Sequence, residues 1–131
     1  MTEPNWDKYE HFSRSEFVCH CGCGRADMDE GYMQMLSALR DAYKKPTVVS
    51  SGFRCPEHNK KVSTTGEDGP HTTGKAADVL INGAEAFSLM KLSFLWGFSG
   101  VGLKQHGDFA KRFIHLDTLT GDTRPRVWTY T

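Results

Sequence analysis

Some stretches of the chain space their hydrophobic residues as helices do and others as strands do, which predicts a fold that contains both. Apolar side chains recur every three or four positions over residues 29–43, so we predict a helix with one buried face that Pro46 ends. A second helix is predicted over residues 84–96, apolar on most sides and therefore well buried. Short apolar or β-branched runs predict strands at residues 47–50, 76–81, 101–104 and 113–118 and a final edge strand at 126–130.

Between these elements the chain carries turn and capping signals. Residues 1–11 are interpreted as a loose lead-in, and Ser13 with Glu16 three positions later predicts a capped helical turn. Phe12 and Phe17 are expected to pin that turn to the core. Residues 56–61 predict a short helix, and residues 62–70 a loop. The expected fold is α+β, with helices packed on one face of a small, mainly antiparallel sheet, and residues 1–131 form a single domain.

Composition narrows the class of protein without identifying a partner. The chain has 131 residues, 38% hydrophobic and 24% charged, which is typical of one globular domain with one core. Sixteen basic residues balance sixteen acidic ones, so charge does not point to nucleic acid or an anionic membrane. No apolar run approaches the roughly 20 residues of a membrane span. The polar N-terminus is not a secretory signal, so synthesis in a cytoplasm is expected.

A candidate metal site begins in the stretch from Gly69 to Asp78, Gly-Pro-His-Thr-Thr-Gly-Lys-Ala-Ala-Asp. His71 and Asp78 flank a glycine turn at the mouth of a predicted buried strand. The best third ligand is His115 in the strand 113–118. The same stretch nearly matches a phosphate-binding loop, but Ala76 replaces the hydroxyl that would hold magnesium, and a strand follows where a helix is required.

Alternation along the last of these strands separates core from cleft. Ile114 and Leu116 share the face expected to enter the core, so His115 and Asp117 share the opposite face. Two histidines and one carboxylate, with a fourth position open to water, are typical of catalytic zinc. Zinc lowers the pKa of bound water, and Asp117 is expected to take a proton from that water and pass it to a leaving amine.

Two further features lie near residues 54 and 55. Arg54 follows a predicted strand through a glycine and is expected to hold a substrate carboxylate or polarise the scissile carbonyl. Cys55 stands apart from the crowded Cys19, Cys21 and Cys23. Three interpretations of the cysteines stay open: a second metal, a disulfide from the loop to Cys55, and reduced buried thiols. The alternate spacing is cramped for zinc, which usually has C-x2-C ligands, and a cytoplasmic start favours thiols.

Four motifs follow one another over roughly residues 12–118: Ser50-Ser-Gly-Phe-Arg54-Cys-Pro-Glu-His-Asn59, His71-x2-Gly74-x-Ala76-x-Asp78, Gly100-Val-Gly102 and Phe113-Ile-His115-Leu-Asp117. Their combination resembles the M15 family of zinc D-Ala-D-Ala carboxypeptidases and phage endolysin peptidases. The resemblance implies that His71, Asp78 and His115 bind zinc and that Arg54 faces the substrate. It also implies the small α+β fold shared by these peptidases and the hedgehog signalling domain.

The chain departs from the M15 pattern at two positions. Gly69 stands where many members have serine, and Arg112 stands where several members have the catalytic acid. Arginine cannot act as a base, so Asp117 is the expected base, with Asp108 and His106 as alternatives. Arg112 also keeps open a rival interpretation, in which the domain is catalytically inactive, retains zinc and serves in binding, as the hedgehog relative suggests.

The sequence therefore predicts a monomeric zinc metallopeptidase that cuts peptide bonds in bacterial peptidoglycan stem peptides, as a carboxypeptidase or an endopeptidase. Its small size and the lack of a signal peptide or separate wall-binding domain suit a phage or prophage lysin, or a virion-associated hydrolase, that acts on the cell wall. The loops at residues 62–70 and 104–110 are expected to decide which bond is cut.

Overall fold

The core of the fold is a five-stranded sheet, seen in a computed structural model that describes residues 2–131. In chain order its strands are β1 (Val48–Ser51), β2 (Ala76–Leu80), β3 (Gly100–Lys104), β4 (Phe113–Asp117) and β5 (Arg126–Thr129). The spatial order is β1-β2-β4-β3-β5, and every neighbouring pair is antiparallel except β3 and β5. The predicted strands and the final edge strand are all present, and β4 lies in the middle.

In the described residues three α-helices accompany the sheet: α1 (Glu30–Tyr43), α2 (Pro56–Val62) and α3 (Gly83–Leu95). Asp29 caps α1 by accepting a hydrogen bond from the Tyr32 amide at 2.9 Å, and Pro56 occupies the first turn of α2. α1 packs on α3, and α3 packs on β4. The predicted α+β class with a mainly antiparallel sheet is confirmed. Among the described residues, no helix combines the length and apolarity of a membrane span.

The alternation predicted for β4 decides what lies on each side of the sheet. Ile114 and Leu116 are fully buried in the core, and the Tyr32 hydroxyl of α1 donates to the Leu116 carbonyl at 2.8 Å. His115 therefore projects to the other face, where it lies directly opposite Asp78 on β2 and Gly102 on β3. Strand register thus brings two sequence-distant polar side chains to one place.

The prediction that the second helix is well buried was wrong. In α3 the side chains of Phe87 and Leu95 are 64% and 74% exposed, and Phe94 is also exposed. The helix packs through residues such as Ala86 and Leu89 against α1 and the sheet. Its apolar residues extend around the outer side, so sequence hydrophobicity could not indicate which side faces the core.

The N-terminal segment is better packed than a loose lead-in. Residues Trp6–Lys8 form a 3-10 turn, the Trp6 ring lies 5.4 Å from that of Phe17, and Tyr9 is buried. Phe17 is itself fully buried, and the predicted Ser13–Glu16 capping box is present. The segment therefore adds to the core; Met1, the first residue of the predicted lead-in, lies outside the described residues.

Candidate metal centre

His71, Asp78 and His115 converge on one buried point at the sheet surface. One donor atom from each lies within 4.8 Å of the others. Asp78 Oδ1 is 3.3 Å from His71 Nε2 and 3.1 Å from His115 Nδ1. His71 is 4% exposed, Asp78 5% and His115 2%. The sequence predicted this set from motif spacing, strand alternation and the M15 resemblance, and the structure brings all three side chains together.

Two pieces of local structure place these side chains. His71 lies in the 3-10 turn Pro70–Thr73, which Gly74 ends with a φ of 74°, a backbone conformation that glycine adopts without steric cost. The chain then enters β2, where Asp78 pairs with His115 of β4. The glycine turn therefore lets His71 approach a carboxylate that the sheet register holds in place.

In each histidine, the ring nitrogen that points away from Asp78 has a hydrogen-bond partner elsewhere in the protein. His71 Nδ1 donates to the Gly52 carbonyl at 2.8 Å. Nε2 is therefore unprotonated, and its lone pair faces the side of the ring where Asp78 lies. His115 Nε2 lies 2.8 Å from Asp117 Oδ2, which leaves Nδ1 toward Asp78. Such outer hydrogen bonds fix the tautomer and orientation of metal-binding histidines. The donor set, its convergence and its outer partners fit a zinc ion held by His71, Asp78 and His115.

Charge coupling within the cluster is strong because water is excluded. Burial alone would raise the pKa of Asp78, but the neighbouring His71 and His115 lower it well below its usual range. Burial would likewise lower the pKa of His115, yet hydrogen bonds to Asp117 and Asp78 raise it. Both directions reflect attraction between His115 and the neighbouring carboxylates, so protonation of His115 and binding of a cation should compete.

The contacts of Asp117 do not support its predicted role as the general base. Asp117 is fully buried behind the His115 ring, on the nitrogen opposite to the one that faces Asp78. Its Oδ1 accepts from the Arg124 Nε at 3.0 Å and the Leu119 amide at 3.2 Å, and its Oδ2 accepts from Arg124 Nη2 at 2.8 Å. Strand alternation gave the correct face, but the His115 ring separates the carboxylate from the cluster centre.

Arg54 lies beside the cluster, as predicted. Its Nη2 is 3.6 Å from Asp78 Oδ2, its Nε donates to the Ser51 hydroxyl at 3.2 Å, and its Nη1 donates to the Asn59 side-chain oxygen at 3.2 Å. Asn59 is buried and in turn donates to the Gly66 carbonyl. The guanidinium is therefore held in position by β1 and α2 while one end reaches the ligand carboxylate.

A cleft of about 1020 Å³ opens over these residues. Its walls include Arg54, His71, Asp78, His115, Trp128 and Tyr130. The two alternative bases lie elsewhere: His106 is exposed and contacts the Tyr130 carbonyl, and Asp108 accepts from the Ala110 amide in a turn. Among described residues that line the cleft, the side-chain carboxylates are Asp78 and Asp68.

Sequence reasoning missed two residues that shape the site. Arg124 holds Asp117 through two hydrogen bonds, and the Trp128 ring lies 5.1 Å from that of His115. The Gly100-Val-Gly102 motif accommodates both partners. A Cβ on Gly100 would meet Asp117 Oδ1 at 2.2 Å, and one on Gly102 would meet the Trp128 indole at 2.6 Å. The motif was visible in the sequence, but its neighbours were not.

A buried His, Asp, His cluster beside an open cleft is an arrangement suited to metal-dependent hydrolysis. The Peptidase M15 family matches residues 10–117, which is most of the chain, and the protein belongs to this family. Among curated proteins none matches the chain. The predicted family is thus confirmed; its members are metallopeptidases whose metal is typically zinc, so membership implies peptidase activity.

Proposed function

We propose that the protein is a zinc peptidase that hydrolyses peptide bonds in the stem peptides of bacterial peptidoglycan. The observation that carries the proposal is the convergence of His71 Nε2, Asp78 Oδ1 and His115 Nδ1 beneath an open cleft. Zinc bound by these atoms would supply Lewis-acid chemistry and activate water for attack on a carbonyl. The peptidoglycan substrate is inferred from the motifs that resemble wall peptidases.

The protein's own groups would act around that centre in distinct ways. Asp117 is proposed as a positioning residue, because it accepts the proton on His115 Nε2 and so leaves Nδ1 free to bind metal. Arg124 holds Asp117 in turn. Arg54 is proposed to bind a substrate carboxylate or carbonyl, because its guanidinium lines the cleft beside Asp78.

A proton carrier is still required, and Asp68 is the proposed one. It lies on the cleft wall in the loop three residues before His71, and it is exposed to the solvent that fills the cleft. Asp68→Asn should abolish most hydrolysis while zinc content stays unchanged, since the side chain is not among the converging ligands. Asp108→Asn, an exposed aspartate outside the cleft, is the matched control and should retain full activity.

The rival function is a zinc-containing binding domain without catalysis. Two observations favour it: Arg112 donates to the Gly107 carbonyl instead of supplying an acid, and the carboxylate of Asp117 is fully engaged. Equal hydrolysis rates for wild type and His115→Ala would support this rival, because the activity would then not depend on the cluster. A rate that disappears on removal of zinc and returns on its addition would exclude it.

The proposed setting is the bacterial cell wall, with the protein acting as a phage or prophage lysin or a virion-associated hydrolase. The test is digestion of purified peptidoglycan followed by mass spectrometry of the released muropeptides. Loss of a terminal D-Ala would assign a carboxypeptidase, and cleavage within the stem or the cross-link would assign an endopeptidase. Unchanged muropeptides with zinc-loaded protein would contradict the substrate proposal while leaving the metal assignment intact.

A further inference from the structure

A second cluster of metal-ligating groups lies apart from the site above. The Sγ atoms of Cys19, Cys21, Cys23 and Cys55 all lie within 4.8 Å of one another. Cys19 and Cys21 are separated by 3.5 Å, Cys21 and Cys55 by 3.6 Å, and Cys19 and Cys55 by 3.8 Å. All four cysteines are free. The peptidase chemistry proposed above uses none of them.

The three separations among Cys19, Cys21 and Cys55 match those around one tetrahedral ion, and the Cys23 sulfur lies within 4.8 Å of the same three atoms. With a zinc–sulfur distance of roughly 2.3 Å, tetrahedral geometry places the sulfurs about 3.8 Å apart. Four thiolates in this arrangement select zinc among the common divalent ions, with a mononuclear iron as the chemical competitor. Four converging thiols without a metal would in contrast leave four poorly matched donors packed together, because thiols are weak hydrogen-bond partners.

The loop geometry explains how alternate cysteines reach one point. Gly22 has a φ of 89° and Gly24 a φ of 80°, so the chain turns sharply on both sides of Cys23. The Cys19 amide donates to the Arg25 carbonyl at 2.8 Å and closes the loop. The sequence objection, that alternate spacing is cramped for zinc, therefore does not hold for this backbone.

The fourth ligand ties this loop to the rest of the fold. The Cys55 amide lies 3.4 Å from Cys19 Sγ and donates to it, and such a hydrogen bond favours the thiolate that a metal requires. Two residues earlier, the Phe53 amide donates to the Phe17 carbonyl at 2.9 Å. Cys19 and Cys55 are buried, whereas Cys21 and Cys23 are exposed and accessible to an incoming ion. A metal here would join two segments 36 residues apart in sequence.

We propose that Cys19, Cys21, Cys23 and Cys55 form a structural zinc site, distinct from the His71, Asp78 and His115 centre. All four corners are protein ligands, which is typical of structural zinc with no position open to substrate. The site would clamp the N-terminal segment to the chain immediately after Arg54. The inference does not rest on peptidase activity, because its readouts are metal content and thiol accessibility.

Metal analysis of the full chain purified under reducing conditions gives the direct test. We expect two zinc ions per chain in the wild type and one in Cys21→Ser and Cys55→Ser. His71→Ala should also hold one, retained by the cysteines. His20→Ser is the matched control, because His20 is exposed in the same loop and outside the cluster; it should hold two. Loss of zinc from His20→Ser would overturn the four-cysteine ligand set.

A second measurement keeps the proposal testable if a cysteine variant fails to fold. An organomercurial added to the wild-type protein should release one zinc as the thiols react, and the second zinc should stay bound until a chelator is added. In His71→Ala, cobalt should give the near-ultraviolet thiolate charge-transfer band of a sulfur-bound ion. One zinc per chain that mercurial leaves bound, a disulfide between any two of these cysteines by mass spectrometry, or iron in place of zinc would each overturn the assignment.

Discussion

The two clusters of ligating side chains are built in opposite ways. His71, Asp78 and His115 come from a turn and two neighbouring strands, and they are buried under the cleft. Three of the four cysteines lie within five residues of one another in an irregular loop, and two of them are exposed. Sheet register positions the first cluster, whereas local turns position the second.

This difference indicates what each cluster depends on. In the sheet cluster the outer ring nitrogen of each histidine has a hydrogen-bond partner, Gly52 for His71 and Asp117 for His115, so the site is preorganised. The outer donors to the cysteine sulfurs are backbone amides: that of Cys55 donates to Cys19, that of His58 to Cys55 and that of Cys23 to Cys21. Substitutions around the sheet cluster should therefore alter metal affinity through its neighbours, while the cysteine cluster should respond mainly to loss of its own ligands.

The largest effect is expected from His115→Ala. Removal of a ligand on the central strand should lower hydrolysis to background, a loss of about a thousandfold or more, because a zinc ion supplies several kcal/mol of stabilisation in such reactions. Peptide release from purified peptidoglycan measures the rate, and metal analysis measures the zinc. His11→Ala, an exposed histidine paired with Asp41, is the control and should behave as wild type. Retained hydrolysis in His115→Ala would remove this cluster from the reaction.

Asp117→Asn should lower zinc affinity or activity by roughly 10–100-fold, as for other partners of metal-binding histidines. The amide cannot accept from His115 and Arg124 as strongly as the carboxylate does. Competition with a chromogenic chelator measures the affinity. Arg124→Gln should produce a smaller change in the same direction. If Asp117→Asn keeps full zinc affinity but loses all hydrolysis, the base role predicted from the sequence would be restored.

Arg54→Lys should lower kcat/KM about tenfold with zinc content unchanged. Lysine keeps the charge but loses the planar fork that contacts Ser51, Asn59 and Asp78, a loss worth about 1.5 kcal/mol for a charged hydrogen bond. Steady-state kinetics on a defined stem peptide is the measurement. Cys55 is the next residue in the chain, so a loss of one zinc in Arg54→Lys would show that a change beside the sheet cluster also disturbs the cysteine cluster.

A pair of glycine substitutions compares the packing of the two clusters directly. Gly100→Ala should destabilise the fold by about 3 kcal/mol, the upper end of the usual cost of overpacking, and weaken the sheet cluster, since its Cβ would overlap Asp117. Gly22→Ala meets no atom within 4 Å, so its cost is about 1 kcal/mol of left-handed backbone. Denaturant unfolding measures both. Equal free-energy losses would contradict the view that only the sheet cluster is tightly packed.

Once the metals are chelated, low pH should reduce the free energy of unfolding through a carboxylate that belongs to the sheet cluster. Burial would raise the pKa of Asp117, but hydrogen bonds to His115 and Arg124 lower it to about 2 from the usual 3.8. The lowered pKa contributes stability that is complete above pH 4 or so and is lost as the pH falls toward 2, on the order of 2 kcal/mol. Unfolding free energies measured across this range should show the slope in wild type, and Asp117→Asn should reduce it.

Much of the fold and part of the site followed from sequence periodicity and spacing. The period of two along β4 placed Ile114 and Leu116 in the core and His115 on the other face, as the structure has them. The same period could not show which ring nitrogen of His115 faces Asp117, because that depends on a side-chain torsion. Arg124 was missed since an irregular loop returns it to Asp117, and such a contact leaves no periodic signal.

Two further differences between prediction and structure have the same kind of cause. Apolar residues all around α3 could not reveal that Phe87 and Leu95 face outward, because hydrophobicity has no direction when no polar stripe marks the solvent side. The cysteine spacing suggested crowding until positive φ angles at Gly22 and Gly24 showed how the loop turns. The sequence pattern thus predicted the helices and strands, whereas irregular backbone determined the contacts that the pattern did not show.

The central position of β4 has a consequence for the motions available to the site. Its backbone is paired on both edges, with β2 on one side and β3 on the other. The amide hydrogens of His115 and its neighbours should therefore exchange with solvent only when the whole sheet opens, whereas those of the turn that carries His71 can exchange through local fluctuations. In a hydrogen-exchange experiment the cluster would then divide into a slow half on the strand and a faster half on the turn.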